Sequence, residues 1–470
     1  MMLFLSNFVK NNALFCSALH DHLRVDIIAQ KGFYGIMDNG NRRRLGSQVV
    51  EVRDVHHVRI FYDPDRYAGH PNRGGIWNFG DGEIVVAHRV KTVDYRAPDW
   101  KMSNAAHDFS HLSAGTTSGI MLNRSFDNGE SWPENEKAWI WNNDRSLDEI
   151  LEWLRPVDPS QRGDIDMSES DAIMHFSPAG EHLRWPLGGG VRQQLGPGDN
   201  FHLGKRPWLT MPTFCLRSKD RGRTWEDHPT LIEGPSISPD TGFLAANLGQ
   251  IRFANGVIGI VGTTNHRNIS CLFVSYDNGV RWEFVSVVAR GMTPDFNCGY
   301  TYMGVHQLPD SRLMACMHRM PENWPCVAFS EDDGMTWSEP RYIVSPATYT
   351  PLPPGDQPAR APMDRGGPRY RSPCALVTRD GRIVVVFARR SAGGARGILA
   401  VVSDDLGETW SKEIVLRGDS YTWDCGYPVM TELNDGRLFT AYYITTKDGD
   451  EPVPEYAVVR HVDGTFFSLA

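Results

Sequence analysis

Ser125-Phe126-Asp127-Asn128-Gly129-Glu130-Ser131-Trp132 is the stretch on which the fold turns, because it recurs. It returns as Ser218-Lys-Asp220-Arg-Gly222-Arg-Thr-Trp225, Ser275-Tyr-Asp277-Asn-Gly279-Val-Arg-Trp282, Ser330-Glu-Asp332-Asp-Gly334-Met-Thr-Trp337 and Ser403-Asp-Asp405-Leu-Gly407-Glu-Thr-Trp410. Several copies follow an apolar run, such as GIML before the first and ILAVV before the fifth. The pattern reads as strand, tight turn, then an aromatic opening the next strand. Asp accepts bonds from nearby backbone amides in such a turn, and Gly takes positive φ without steric cost. Trp then covers the turn with apolar surface. Five copies in one chain make a repeat protein.

A second signal is a hairpin turn between apolar runs. It occurs at Gly80-Asp81-Gly82, Ala254-Asn255-Gly256, Pro309-Asp310-Ser311 and Asp380-Gly381, and again after the last box at Asn434-Asp435-Gly436. Asp-Gly and Asn-Gly between β-rich runs mark hairpins. From hairpin to box is 22 residues in two repeats (255 to 277, 310 to 332), room for two more short strands. Each unit therefore reads as a four-stranded antiparallel meander, the signature of a β-propeller blade. The expected fold is all-β: a six-bladed propeller of four-stranded antiparallel blades, with seven blades the alternative.

Five boxes mark five blades. The sixth is YPVMTEL, a hairpin, RLFTAYYI and YAVVRHV, with His461-Val-Asp463-Gly464 as a degenerate box. The run VVEVRDVHHVRIFYD (49–63) is expected to close the ring against it. One propeller then occupies 47–470, after an N-terminal extension, 1–46, of uncertain structure. An insertion at about 136–210 separates the first two boxes, and a smaller excursion, 345–367, precedes the fifth blade.

Composition narrows the function. The chain has 470 residues, 41 % hydrophobic, ample for a large core. A net charge of −9 argues against a nucleic-acid partner, which would call for a basic patch. No run reaches the roughly 20 apolar residues of a membrane helix. The opening segment lacks a basic n-region and is broken by Asn7, Lys10 and Asn11, which points to a cytoplasmic location. Eight scattered cysteines without a CxxC pair read as small core residues, neither disulfides nor a metal site. No cofactor is implied. Oligomeric state is not legible.

Antiparallel geometry sorts residues by face. Boxes and hairpins lie on one face, as structural turns; the opposite face collects the start of strand one, the end of strand two and the start of strand three. Strand one contributes Arg73, Arg371 and Tyr427 there. Strand two contributes Arg89, His266 and Arg267, Arg319, and Arg389 with Arg390. Strand three contributes Arg396. Arginines converging on one mouth suit an anion, above all a carboxylate held by bidentate pairs. Trp77, Trp100, Trp208 and Trp423 lie near that face, to stack on a ligand ring or to pack within blades.

With these boxes and blades the sequence resembles the sialidase superfamily over roughly residues 47–470. The resemblance implies a glycoside hydrolase acting on a terminal acidic sugar, with Arg73, Arg319 and Arg396 binding the carboxylate and Arg89 as an accessory arginine. It implies Tyr427 as nucleophile and an aspartate from the 90–115 loop as acid/base, Asp94 or Asp108. Two departures stand out. The first motif is HPNRGGIW, and the blade-four strand CGYTYMGVHQL lacks the acid that the family pairs with its tyrosine. His306 would replace it only if strand pairing put it on the pore side. Two other readings remain open: a lyase on uronate polysaccharides using Tyr300, Tyr302, His318 and Tyr427, and a non-catalytic carbohydrate-binding propeller.

Overall fold

The computed structural model describes residues 44–95, 117–142, 144–178, 212–235, 243–245, 247–253, 255–264, 269–291, 299–320, 324–345, 370–390, 396–447 and 458–470. Six antiparallel sheets form the six blades. Blades four, five and six show the expected plan. Blade four runs Tyr300–Gln307, Leu313–Arg319, Trp324–Ser330 and Arg341–Tyr342; blade five runs Tyr370–Val377, Ile383–Arg390, Arg396–Ser403 and Ile414–Arg417.

Strand two of blade five explains why the middle strands are so apolar. All eight residues of Ile383–Arg390 are buried. Val384, Val386 and Ala388 pack into one inter-blade core, whereas Ile383, Val385 and Phe387 pack into the next. A strand covered on both faces has no reason to alternate with polar residues.

Blade six departs from expectation in its third strand. His461–Leu469 is continuous, so His461-Val-Asp463-Gly464 lies within a strand and makes no turn. That strand pairs with Leu438–Ile444 on one side and with Val52–Phe61 on the other. The N-terminal strand thus closes the ring. Arg59 Nε donates to Asp463 Oδ1 at 2.8 Å, which gives Asp463 an inter-strand role in place of a turn role.

Part of the stretch expected as an insertion belongs to the blades. Ala138–Asn142 is the fourth strand of blade one, and Ile173–Pro178 is a strand of blade two beside Thr213–Ser218 and Thr230–Ile232. Blade two shows three strands among the described residues. Its inner edge is capped instead: Asn247 Oδ1 accepts from Phe176 N and Asn247 Nδ2 donates to Phe176 O, both at 2.9 Å. A side-chain amide offers the same donor and acceptor as a peptide group, so one Asn satisfies an edge that a strand would otherwise cover.

Blade one also differs. Its inner strand is split into Arg66–Gly69 and Gly75–Asn78, both paired with Ile84–Thr92. Between the halves stands one helical turn, Pro71–Gly74. Blade three is interrupted similarly, with Phe243–Ala245 and Ile251–Arg252 pairing with Ile258–Thr264 ahead of Ile269–Ser275 and Glu283–Arg290.

The boxes are turns of one geometry. Ser403 Oγ accepts from Gly407 N and donates to Asp405 Oδ1, each at 2.8 Å, while Asp405 accepts from Thr409 N and Thr409 Oγ1. The residue before each glycine is left-handed too: Asn128, Arg221, Asn278, Asp333 and Leu406 have φ of 57–61° or 55°. Each box glycine abuts the preceding blade or, for Gly129, blade six through Phe466 and Phe439. The boxes therefore fasten blades together, away from the opposite mouth.

Candidate functional site

The inner strands of blades four, five and six carry the same irregularity near the mouth opposite the boxes. Strand pairing slips between Thr301 and Gly304, between Arg371 and Cys374, and between Gly426 and Val429. At each slip one non-glycine residue is left-handed: Tyr302 (φ 51°), Ser372 (φ 43°) and Tyr427 (φ 53°). His70 (φ 55°) stands at the split in blade one. Such conformations are costly for bulky residues and concentrate at functional sites.

Three of these residues meet. The Tyr302 and Tyr427 hydroxyls are 3.2 Å apart. The His70 ring lies 4.4 Å from that of Tyr427 and stacks on Tyr443 at 5.3 Å. Tyr302 stacks on His318 at 5.9 Å. The Arg390 guanidinium sits over the Tyr427 ring at 5.1 Å. No described carboxylate bonds to Tyr427.

Behind this layer is a buried charge network. Tyr443 donates to Asp424 Oδ1 at 2.5 Å, and Arg390 Nη2 donates to Tyr443 OH at 2.6 Å. Arg460 Nε reaches Asp424 Oδ2 at 3.3 Å, both side chains fully buried. Arg390 Nε also donates to Cys425 O at 2.7 Å, which fixes the guanidinium against the tyrosines. Burial pushes the Tyr427 phenol above its ordinary pKa, and Tyr302 adds to this, while Arg390 and Arg371 pull it back. Tyr443 is raised too, mainly by burial.

The expected site residues scatter around this centre. Tyr427 is in it. Arg371 is half-buried near it, with Nη1 3.7 Å from Met320 Sδ. Arg73 is on the helical turn, half-buried, its carbonyl accepting from Asn247 Nδ2 at 2.8 Å. Arg89 is buried in the second strand of blade one. Arg319 lies over the Tyr342 ring at 5.6 Å, and Arg396 is fully buried, with Nη1 3.3 Å from Tyr421 O. Asp94 is exposed, two residues past Ile84–Thr92. Asp108, Trp100, Trp208, His266 and Arg267 lie outside the described residues. His306 packs beneath Gly249 of blade three, far along its strand from Tyr302, and burial lowers its pKa to about 4. Trp423 is buried beside Arg390 at 5.4 Å.

Asp424, Tyr443, His70 and Arg460 are the members that the sequence did not single out. Tyr443 ends a second strand and is found by the rule that gathers the arginines. A separate cleft of about 240 Å³ opens on the hairpin side, lined by Gly75, Trp77, Ile173, Met174, Asn247 and Gln250. It exists where blade two has no inner strand among the described residues. It holds none of the phenols, so the tyrosine cluster is the better candidate for chemistry.

A six-bladed ring stitched by Asp-boxes, with a tyrosine–arginine centre at the opposite mouth, is a propeller of the sialidase superfamily. The chain belongs to the family described as BNR repeat-like domain, whose model matches residues 202–440. No curated protein matches it. Among solved structures it is similar to a protein of unknown function from Dyadobacter fermentans, at 20 % identity and TM-score 0.57, covering 89 % of this chain and 99 % of that one. It is also similar to the NanB sialidase of Streptococcus pneumoniae, at 13 % identity and TM-score 0.52, covering 87 % and 70 %. The Trypanosoma rangeli sialidase in complex with sialic acid matches at 14 % identity and TM-score 0.48, covering 88 % and 59 %. The first two of these likenesses show the fold.

Proposed function

We propose that this propeller is an exo-acting glycoside hydrolase for a terminal carboxylate-bearing sugar, with Tyr427 in the chemistry. The observation that carries the reading is Tyr427 itself: strained, buried, bonded to Tyr302 and capped by Arg390. A phenol must lose its proton to act as a nucleophile. The His70 ring packs 4.4 Å from that of Tyr427, its Nδ1 paired with the Tyr67 hydroxyl at 3.1 Å, while Arg390 and Arg371 favour the phenolate. Their positive charge also suits a sugar carboxylate. An aspartate of the 90–115 loop, Asp94 or Asp108, would serve as acid/base, with Arg73, Arg89, Arg319 and Arg396 as further arginines of the family pattern.

One observation favours a second reading. The groups on Tyr427 are phenols, an imidazole and a guanidinium, a set that also suits abstraction of the α-proton from a uronate by a lyase.

The deciding experiment is turnover by wild type and Tyr427→Phe on aryl glycosides of sialic acid, uronic acids and neutral sugars, plus uronate polysaccharides. Release of an acidic sugar that the variant abolishes supports the hydrolase. An unsaturated product absorbing in the near ultraviolet identifies the lyase, and silence from a folded protein leaves a binding module.

A further inference from the structure

Ser372 occupies in blade five the place that Tyr302 and Tyr427 occupy in blades four and six. The pairing slip is the same, and so is the left-handed backbone. The two tyrosines converge, and the inner strand of blade five lies between theirs. Yet Ser372 is fully buried and its Oγ has no hydrogen-bond partner among the described residues.

A second group shares that condition. Asn72 is fully buried in the helical turn of blade one, two residues from His70, and neither Oδ1 nor Nδ2 has a described partner. The turn itself is tied down by its backbone, with Asn72 O accepting from Asn247 N at 2.9 Å, and it packs against the inner strand of blade six, which carries Tyr427. The Asn72 amide therefore has no evident task in holding the turn.

Buried polar atoms are nearly always paired, because leaving them unpaired costs their full desolvation. A strained backbone persists only where something offsets it. Both conditions coincide at Ser372, in register with the two residues whose hydroxyls meet. Ser403 Oγ both accepts and donates, and Ser411 Oγ accepts from Val402 N at 3.0 Å. Ser177 and Ser270 share the buried hydroxyl without a partner among the described residues, but of the three only Ser372 combines it with a left-handed backbone.

We infer that Ser372 and Asn72 are ligand-contacting residues of the pore, binding neutral ring hydroxyls of the sugar whose charged group faces the arginines. A hydroxyl both donates and accepts, as do the Ser372 side chain and the Asn72 amide. This assignment rests on the carbohydrate reading of the same site and adds to it the neutral half of the recognition.

The test uses the full chain with Ser372→Ala, Ser372→Gly and Asn72→Ala. Rates are measured on nitrophenyl glycosides of sialic acid, glucuronic acid and glucose, and binding of the three free sugars by calorimetry. Each substitution is expected to raise KM and Kd about tenfold, the effect of one lost hydrogen bond, with a smaller change in kcat. Ser372→Gly relieves the left-handed backbone, so its Tm is expected at or above wild type while its affinity still falls. Wild-type KM and Kd in all three variants would overturn the inference and leave the hydrolase standing. A wild type that binds a sugar through Ser372 without turning any over keeps the inference and removes the hydrolase. A wild type that neither turns over nor binds these sugars overturns both.

Discussion

The hydroxyls of Tyr302 and Tyr427 meet at 3.2 Å although their strands belong to blades four and six. Blade five stands between them, so the contact spans the inner strand of that blade. The charge that acts on Tyr427 is the positive charge of Arg390 and Arg371.

Tyr427→Phe is expected to lower kcat on a cleaved glycoside by at least about a hundredfold, as for loss of a covalent or proton-transferring group. Tyr302→Phe removes only the partner and is expected to cost less. Because Tyr302 is one of the groups holding the Tyr427 pKa up, Tyr302→Phe also moves the ascending limb of the rate profile, on which the phenol loses its proton, to lower pH. A pH–rate series on both variants checks this; an unmoved limb in Tyr302→Phe would show that the contact plays no part in ionisation.

Asp424 is fully buried between Arg460, Arg390 and Tyr443. Asp424→Ala leaves two buried guanidinium groups facing each other without a counter-charge, which typically costs about 3–5 kcal/mol. Urea denaturation measures this directly. Adding Arg460→Met to Asp424→Ala is expected to restore part of the loss, since it removes one of the stranded charges; strict additivity of the two changes would contradict the network.

What was legible in the sequence follows the range of the forces involved. The boxes and hairpins are local: Asp405 and Thr409 are four residues apart, and their bonds form within one turn. They fixed blade number, order and the opposite-face rule. That rule also brings in Tyr443, overlooked beside the more conspicuous arginines. Direction at a strand end was not legible. Arg389 and Arg390 are adjacent, yet alternation sends Arg389 into the core, 2.5 Å from Glu413, and Arg390 toward Tyr427. His70 and Asn72 were hidden because a helical turn replaces the bulge in blade one, and nothing in HPNRGG signals that it packs on blade six. Asp424 was hidden because its partners, Tyr443 and Arg460, come from elsewhere in the same blade.

The boxes are expected to be structural without exception. Ser403→Ala strands the buried Gly407 N–H and is expected to cost about 1–3 kcal/mol. Because this turn lies on the face away from Tyr427, kcat and KM on any cleaved glycoside should match wild type at temperatures well below Tm. Thermal unfolding and initial rates on the same sample decide it; a selective loss of turnover would assign the box a catalytic influence that its position denies.

Two histidines are expected to contribute acid sensitivity: His88, fully buried, and His306, partly exposed and packed beneath Gly249. Burial lowers both His88 and His306 from 6.5 to about 4. In each case the unfolded chain binds the proton first, so the stabilisation is present above pH 6.5 and is lost as pH falls toward 4. That gap corresponds to roughly 3 kcal/mol per histidine. Urea midpoints should therefore fall steadily from pH 7 to pH 4. His306→Gln removes one of the two titrating groups and should flatten the profile by about half; a slope unchanged in the variant would locate the acid sensitivity elsewhere.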